Sequence, residues 1–220
     1  MRILLLESSP GVGAETALDL AGSGHVVLRC HTPGEGAFPC VGLNSPGSCP
    51  LEGHAAADVA ITVRAPDDTA PTSREIGVTC ALRQGVPVVV EQDADDDPFA
   101  GWTLRVGASG PVAACELALR AAQTQEVEPL RAEVVRILSV AGVPDAVVDV
   151  HLERSDGRAH VFVTVHGESP IGLDVIAVRV HARYSESSRA SASDAVDISV
   201  RSIDGTHELR AEELSDHLAE

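Results

Sequence analysis

Short apolar runs alternate with amphipathic segments over the first half of the chain. A continuously apolar run such as Ile3–Leu6 is typical of a parallel strand that is covered on both faces. The pattern predicts strands at residues 3–6, 25–29, 58–64, 86–90 and 102–106, and helices at residues 14–21, 72–84 and 111–122. Because strands and helices alternate, we expect a parallel sheet with helices on both faces.

The order and spacing of these five strands resemble the flavodoxin-like or receiver architecture over residues 1–123. In open α/β sheets, ligands bind beyond the carboxyl ends of the strands, where the strand order reverses. The candidate ligand-binding residues at that rim are Glu7 and Ser9 after the first strand and Arg64 after the third. A receiver domain would also place a lysine there. Since the chain contains no lysine, we do not expect phosphoacceptor activity.

A polar segment at residues 124–130, which contains Pro129, predicts the boundary of a second domain over residues 131–220. The elements predicted in it are a helix at 131–141, a β-hairpin at 147–166, a helix at 172–188, a strand at 196–203 and an acidic helix at 208–218. This α-β-β-α-β-α order is loosely similar to the alkaline-shock protein family and to the cytoplasmic domains of cation-efflux transporters. The predicted fold class is therefore α/β: a flavodoxin- or receiver-like parallel-sheet domain followed by a small α+β domain.

The hairpin is predicted with a definite register. Asp156-Gly157 is a strong signal for a two-residue turn. Pairing outward from that turn gives three apolar pairs on one face: Leu152 with Val161, Val150 with Val163, and Val148 with Val165. On the other face, it pairs Glu153 with His160, and His151 with Phe162. We therefore expect the first face to cover a core and the second to face solvent or a partner.

Composition narrows the function classes. A net charge of −17 argues against nucleic-acid binding and against anionic membrane surfaces, because both need clustered basic residues. All 16 basic residues are arginine, which excludes Schiff-base lysine chemistry and a P-loop lysine. No apolar run has the length of a signal-peptide core or a membrane span, so we expect a soluble cytoplasmic protein without membrane insertion. In that reducing compartment, five cysteines are more typical of thiols or metal ligands than of disulfides.

The segment at residues 30–57, between the second and third strands, carries the strongest candidate chemistry. It is rich in Cys, Gly and Pro, is far longer than the usual ~2–6-residue loop, and has no predicted helix. Its candidate metal ligands are Cys30, His31, Cys40, Cys49 and His54, and Cys80 on the following helix could complete the set. These donors suit Zn²⁺ or an iron–sulfur cluster. The spacings lack a C-x₂-C knuckle, so inert thiols and redox or disulfide chemistry stay open as alternatives.

Three functions follow from these features. The leading hypothesis is a regulatory or sensory protein, rather than an enzyme, that binds zinc or an iron–sulfur cluster through this insertion. The second is a structural or assembly protein that forms a homo-oligomer or binds a protein partner. It would do so through the outer face of the hairpin (Phe162, His151, His160) or through an edge strand at 196–203. The third is an enzyme that uses the strand-end rim, which is least favoured because no base, nucleophile and oxyanion site can be named together.

Overall fold

A computed structural model of the chain describes residues 1–31, 39–53, 55–92, 97–155, 158–186, 195–203 and 208–209. The chain divides into two compact units, Met1–Ala122 and Gln123–Glu220. Each unit has its own sheet and its own buried apolar residues. The predicted fold class, an α/β parallel-sheet domain followed by a smaller domain, is confirmed.

The first unit is built on a five-stranded parallel sheet. Its elements are, in chain order, β1 (Arg2–Glu7), α1 (Ala14–Gly22), β2 (Val26–Arg29), α2 (Val41–Asn44), β3 (Val59–Val63), a 3₁₀ turn (Ser73–Glu75), α3 (Ile76–Arg83), β4 (Val88–Glu91), β5 (Leu104–Arg105) and the beginning of α4 (Gly110–Val140). The strand order is β2-β1-β3-β4-β5, and every neighbouring pair is parallel. Because β2 and β3 lie on opposite sides of β1, the strand order reverses at the carboxyl ends of β1 and β3.

Helices cover both faces of this sheet. Successive side chains of a strand point to opposite faces, so alternate residues of the run Ile3–Leu6 enter two different core clusters. Val78 of α3 lies in one cluster, whereas Leu20 of α1 and Cys115 of α4 lie in the other. Each residue of Ile3–Leu6 is at most 2% exposed, which explains why the sequence of this strand is continuously apolar.

The insertion between β2 and β3 contains a short helix that the sequence did not predict. Helix α2 is a single turn, Val41–Asn44, and Cys40 is its N-terminal capping residue. Four residues are too few to show a helical period of apolar positions, and two of them are Gly42 and Asn44, which are poor helix formers. The prediction of a helix-free insertion is therefore wrong, because α2 is too short to be recognised from the sequence.

The second unit is built on a mixed sheet. After α4 its elements are β6 (Val147–Ser155), β7 (Arg158–His166), α5 (Leu173–Ser185), β8 (Ala195–Ser202) and β9 (Glu208–Leu209), and the strand order is β6-β7-β8-β9. The predicted hairpin register is confirmed: Val148 pairs with Val165, Val150 with Val163, Leu152 with Val161, His151 with Phe162, and Glu153 with His160. The turn residues themselves, 156–157, lie outside the described residues.

Two predictions for the end of the chain differ from the structure. Strand β8 is not an edge strand, because it pairs in parallel with β7 on one side and antiparallel with β9 on the other. The predicted acidic helix at 208–218 is wrong at its beginning, since Glu208 and Leu209 form β9. Its remaining residues lie outside the described part of the chain. Pairing between strands that are distant in the sequence depends on tertiary structure, so the apolar pattern of a short segment does not predict it.

One helix replaces the two helices that the sequence predicted on either side of residues 124–130. Helix α4 runs without interruption from Gly110 to Val140 and contains Pro129. Leu130, Val134 and Leu138 are each at most 2% exposed and belong to the core of the second unit. Burial of such side chains contributes roughly 1.5–3 kcal/mol each. This is enough to offset the cost of about 3 kcal/mol for a proline inside a helix.

Replacement of this proline tests the continuous helix. Pro129→Ala is expected to raise the free energy of unfolding by about 1–3 kcal/mol, because it restores a backbone donor and removes a ring clash. The measurement is urea denaturation followed by far-UV circular dichroism. Pro111→Ala is the matched control, because Pro111 lies in the first turn of α4, where proline is tolerated. A lower stability of the Pro129 variant, as for a proline in a linker, would contradict the continuous helix.

Candidate functional site

Cys30 lies directly after β2, under helix α3. Its side chain is 6% exposed and belongs to the core cluster between α3 and the sheet. Helix α3 approaches closely because residue 77 is glycine: a methyl group added there would lie 3.2 Å from the Cys30 Sγ and 2.6 Å from a terminal carbon of Leu6. The absent side chain of Gly77 therefore sets the distance between the helix and this thiol.

Cys40 and Cys49 lie on the same side of the sheet as Cys30. The backbone N–H of Val41 donates to the carbonyl oxygen of Cys30 at 2.9 Å, which holds the beginning of α2 against the end of β2. Gly42 allows a similarly close approach, since a methyl group there would lie 2.9 Å from the Cys49 Cβ. Cys40 and Cys49 are partly buried and pack against the core cluster that contains Cys30. Three cysteines of the insertion are thus held in one region.

The electrostatics of these thiols show that they interact with one another. The pKa of Cys30 is raised to about 12, chiefly by burial. Smaller contributions come, in descending order, from the charges of Cys49, Cys40 and Cys80. Burial is also the chief cause that raises the pKa of Cys49; a hydrogen bond from the Leu51 backbone opposes the shift, and the charges of Glu52, Cys40 and Cys80 add to it. Cys30 is therefore a protonated thiol at neutral pH, and an anionic charge on a neighbouring thiol disfavours its ionisation further.

The other predicted ligands have different surroundings. Cys80 is exposed and lies on α3. The His31 ring lies beside the carbonyl oxygen of Arg74, with its Nε2 at 3.3 Å. The Nδ1 of His31 is buried and has no hydrogen-bond partner among the residues that the structure describes. His54 lies outside the described residues.

The thiols are neighbours but are not arranged as a coordination shell. Within the described ranges, no three Cys, His, Asp or Glu side chains stand close enough together to hold a metal ion. All five cysteines are free thiols. Coordination of a metal by this group would therefore require the side chains of the insertion to move from the positions that they occupy.

Arg64, predicted at the strand-end rim, is buried in a network of internal contacts. Its side chain is completely buried against that of Glu75, with 2.5 Å between the Nη1 of Arg64 and the Oε1 of Glu75. The second Nη donates to the carbonyl oxygens of Asp68 at 2.6 Å and Ala70 at 3.0 Å. The guanidinium also lies 5.4 Å from the centre of the Phe99 ring. A ligand that used these groups of Arg64 would have to replace contacts of the fold.

Glu75 was not among the residues that the sequence singled out as functional. It accepts hydrogen bonds from the Thr62 hydroxyl at 3.0 Å and from the Thr72 backbone N–H at 2.9 Å. The second bond completes a capping box at the beginning of the 3₁₀ turn. The Thr72-x-x-Glu75 spacing is the signal that could have identified the cap. The ion pair with Arg64 has no such signal, because it depends on how the turn packs against β3.

Glu7 and Ser9 also have partners within the protein. Glu7 accepts a hydrogen bond from the Gly13 backbone N–H at 3.1 Å and forms an ion pair with Arg29 at 3.3 Å. The Ser9 hydroxyl donates to the Asp68 carboxylate at 3.2 Å. The structure therefore brings Ser9 and Arg64 together around Asp68. Glu7 is engaged with the beginning of α1 and the end of β2.

A groove of about 290 Å³ lies between α4 and α5 in the second unit. Its charged lining residues are Glu133, Arg136, Arg179, Arg183 and Glu186. Glu133 accepts hydrogen bonds from Arg136 at 2.8 Å and from Arg179 at 2.6 Å. The bonds from Arg136 are the chief cause that lowers the pKa of Glu133 to about 2, while burial opposes the shift and Arg179 adds to it. The ion pair between Glu133 and Arg179 joins α4 to α5.

Comparison with known proteins gives no family for this chain. No family model matches it, and neither does any curated protein or solved structure. Among the described residues, no helix has both the length and the apolar character needed to cross a bilayer. The class that the fold defines is therefore an α/β parallel-sheet protein with a second, smaller domain. Its distinguishing feature is a group of four cysteines: Cys30, Cys40 and Cys49 share one core cluster, and the exposed Cys80 lies on α3.

Proposed function

We propose that this is a cytoplasmic regulatory or sensory protein that binds zinc or an iron–sulfur cluster through Cys30, Cys40 and Cys49. Cys80, His31 or His54 would supply the fourth ligand. The observation that carries the proposal is that Cys30 is buried in one core cluster with Val78 of α3, the helix that bears Cys80, and that Cys40 and Cys49 pack against the same cluster. Thiolate and imidazole are the donors that structural zinc sites use, and cysteine thiolates hold iron–sulfur clusters.

Charge explains why a cation suits this group. Burial chiefly, and the charges of neighbouring thiols to a smaller extent, raise the pKa values of Cys30 and Cys49 and so disfavour their ionisation. A bound metal cation offsets that repulsion and stabilises the thiolates, which are the forms that ligate metals. The side chains that now surround Cys30 are apolar, so in the absence of a cation an ionised thiol there has little stabilisation.

The movement that coordination requires is affordable in free energy. Ordering one residue costs roughly 1–2 kcal/mol, whereas structural zinc binding supplies about 10–16 kcal/mol. Several residues of a glycine-rich insertion can therefore be repositioned by metal binding. This is also a rationale for sensing, because the insertion would have different conformations with and without metal. Helix α3 would communicate that difference to Glu75 and Arg64 at the strand-end rim.

Metal and inorganic sulfide analysis of the native protein tests this proposal. The protein is purified without oxygen and without a metal-binding affinity tag, and a visible spectrum is recorded. We expect close to one zinc per chain without sulfide, or iron with sulfide and visible absorption. A colourless, metal-free protein whose five cysteines all titrate as thiols would contradict the proposal.

A second candidate function, assembly through the smaller domain, is favoured by a separate observation. On the outer face of the hairpin, the rings of His151 and Phe162 stack with 6.3 Å between their centres, and Phe162 is 39% exposed. Strand β6 pairs with β7 alone among the described strands. We propose that a homo-oligomer or a protein partner covers this region. Light scattering across a range of protein concentrations checks the homo-oligomer, which a concentration-independent monomer would contradict.

A further inference from the structure

Strand β6 has the features of a strand that pairs with another chain. It is nine residues long and is paired residue by residue with β7 from Val147 to Ser155, without a bulge. Its sequence contains no proline, and no lysine occurs in the chain. Proline, lysine and bulges are among the means by which edge strands avoid pairing, as are other charged side chains, of which β6 has Asp149, Glu153 and Arg154. Among the described residues, the other edge of β6 is unpaired.

We propose that two copies of the chain pair antiparallel through β6, with the two-fold axis at Val150. The proposal rests on the assembly role given above and specifies its surface and partner. Such pairing would join two four-stranded sheets into one continuous sheet. An isologous contact of this kind needs a strand that is complementary to itself, and the sequence of β6 meets this requirement.

The two faces of β6 restrict the register. Val148, Val150 and Leu152 face the core, whereas Asp149 and His151 belong to the opposite face. In an antiparallel pair, residues directly opposite each other share a face, and a shift by one residue would bring core positions opposite polar ones. The two-fold axis must therefore pass through a residue rather than between two residues.

With the axis at Val150, the central pairs across the contact are compatible, and Val147 at the end of the strand faces Glu153 of the partner subunit. Val150 faces its own counterpart, and Val148 faces Leu152 of the partner subunit, which continues the apolar face. On the polar face, Asp149 faces His151 of the partner subunit, and this pair occurs twice by symmetry. Asp149 already accepts a bond from His166 at 2.7 Å. A carboxylate has about four lone-pair sites, so it can accept a second bond.

The neighbouring registers are less favourable. An axis at His151 would place Asp149 opposite Glu153 of the partner subunit, and like charges directly opposite each other are destabilising. An axis at Leu152 would place Val150 opposite Arg154 of the partner subunit. Within one chain, Arg154 already bonds to Glu126 at 2.7 Å and to the Tyr184 hydroxyl at 3.2 Å. An axis at Asp149 would oppose two copies of the same carboxylate.

A charge exchange across the contact tests this register. His151→Asp should weaken dimerisation of the full chain at least about tenfold, because it places two carboxylates opposite each other at two symmetric positions. The double variant Asp149→His/His151→Asp exchanges the two partners and should restore the dimer dissociation constant to within about threefold of the original, since the same pairing is rebuilt. Sedimentation velocity across a range of protein concentrations measures both constants. The side chains of Asp149 and His151 are 74% and 68% exposed, so both variants are expected to fold, which far-UV circular dichroism verifies.

The possible outcomes distinguish a failure of the proposed register from a failure of the assembly role. Loss of the dimer in His151→Asp and its recovery in the double variant support the pairing at Val150. A dimer that both variants leave unchanged would overturn this register and leave the assembly role standing. Loss of the dimer in both the single and the double variant would also overturn the pairing of Asp149 with His151. An unaltered chain that stays monomeric at every concentration would overturn the register and the assembly role together.

Discussion

Glu75→Gln is expected to lower the free energy of unfolding by about 3–5 kcal/mol, because it leaves the Arg64 guanidinium as a buried charge without its counter-ion. Both side chains of this pair are completely buried. Glutamine keeps the size of the side chain, but its single oxygen can replace only one of the two carboxylate oxygens that accept from Thr62 and from Thr72. The loss therefore reports the missing charge together with one hydrogen bond, rather than a cavity. Urea denaturation followed by far-UV circular dichroism measures it.

An exposed ion pair of the same unit provides the matched control. Glu116 and Arg120 are one helical turn apart on α4, 3.8 Å from each other, with 46% and 66% of their side chains exposed. Glu116→Gln should cost at most about 1 kcal/mol, since solvent screens such pairs. The double variant Arg64→Met/Glu75→Leu should recover part of the loss, because two apolar side chains remove both buried charges but leave the hydrogen-bond partners of Arg64 and Glu75 unpaired. Equal effects of Glu75→Gln and Glu116→Gln would contradict a structural role for the buried pair.

Replacement of Cys30, Cys40 and Cys49 together by serine is expected to abolish metal binding. Three of the proposed ligands are lost, and serine oxygen is a poor ligand for zinc or for a cluster at neutral pH. Metal content should fall from about one ion or cluster per chain to less than about one tenth. The insertion should also become more sensitive to proteases, because the constraint that metal binding provides is gone. Elemental analysis and limited proteolysis measure the two effects.

Cys115→Ala is the control for this experiment. Cys115 is completely buried in the core cluster on the opposite face of the sheet, together with Leu20 and Ala118. Its removal leaves the four-cysteine group intact, so metal content should not change. If the triple variant keeps its metal and its protease resistance, the cysteines of the insertion do not bind it. Loss of metal in Cys115→Ala alone would place the site elsewhere.

The sequence predicted most accurately those parts of the fold whose determinants are local. The hairpin register is correct for every pair from the turn to Val148, because the turn signal and the alternation of apolar residues lie within one segment. The predicted break between two helices around Pro129 is wrong, because burial of Leu130 in the core outweighs the local preference for a break. The pairing of β8 with β9 is likewise decided by residues that are distant from the local pattern.

The sequence likewise predicted only part of the candidate site. Cysteine and histidine in a long insertion are visible in the sequence, and the structure places Cys30, Cys40 and Cys49 in one region. Two glycines determine that placement, Gly42 against Cys49 and Gly77 against Cys30. A glycine required for close packing looks the same in a sequence as a glycine required for a turn. The contact between Glu75 and Arg64 was not predicted, because Glu75 lies in the 3₁₀ turn and Arg64 lies at the end of β3. Tertiary packing brings these two elements together, and no local pattern indicates it.

The position of β2 has a consequence for the history of this fold. β2 is the outermost strand of the first sheet, and its residues are less buried than those of β3, all five of which are buried. A segment attached to the margin of a sheet can be lengthened, shortened or exchanged without disturbing the central strands. The thiol-bearing insertion therefore occupies a place where an α/β domain can acquire new chemistry, provided that Leu51 and Ala57 keep their contacts with the core cluster of Leu4 and Leu6. Related chains that share the central strands are expected to differ most between β2 and β3.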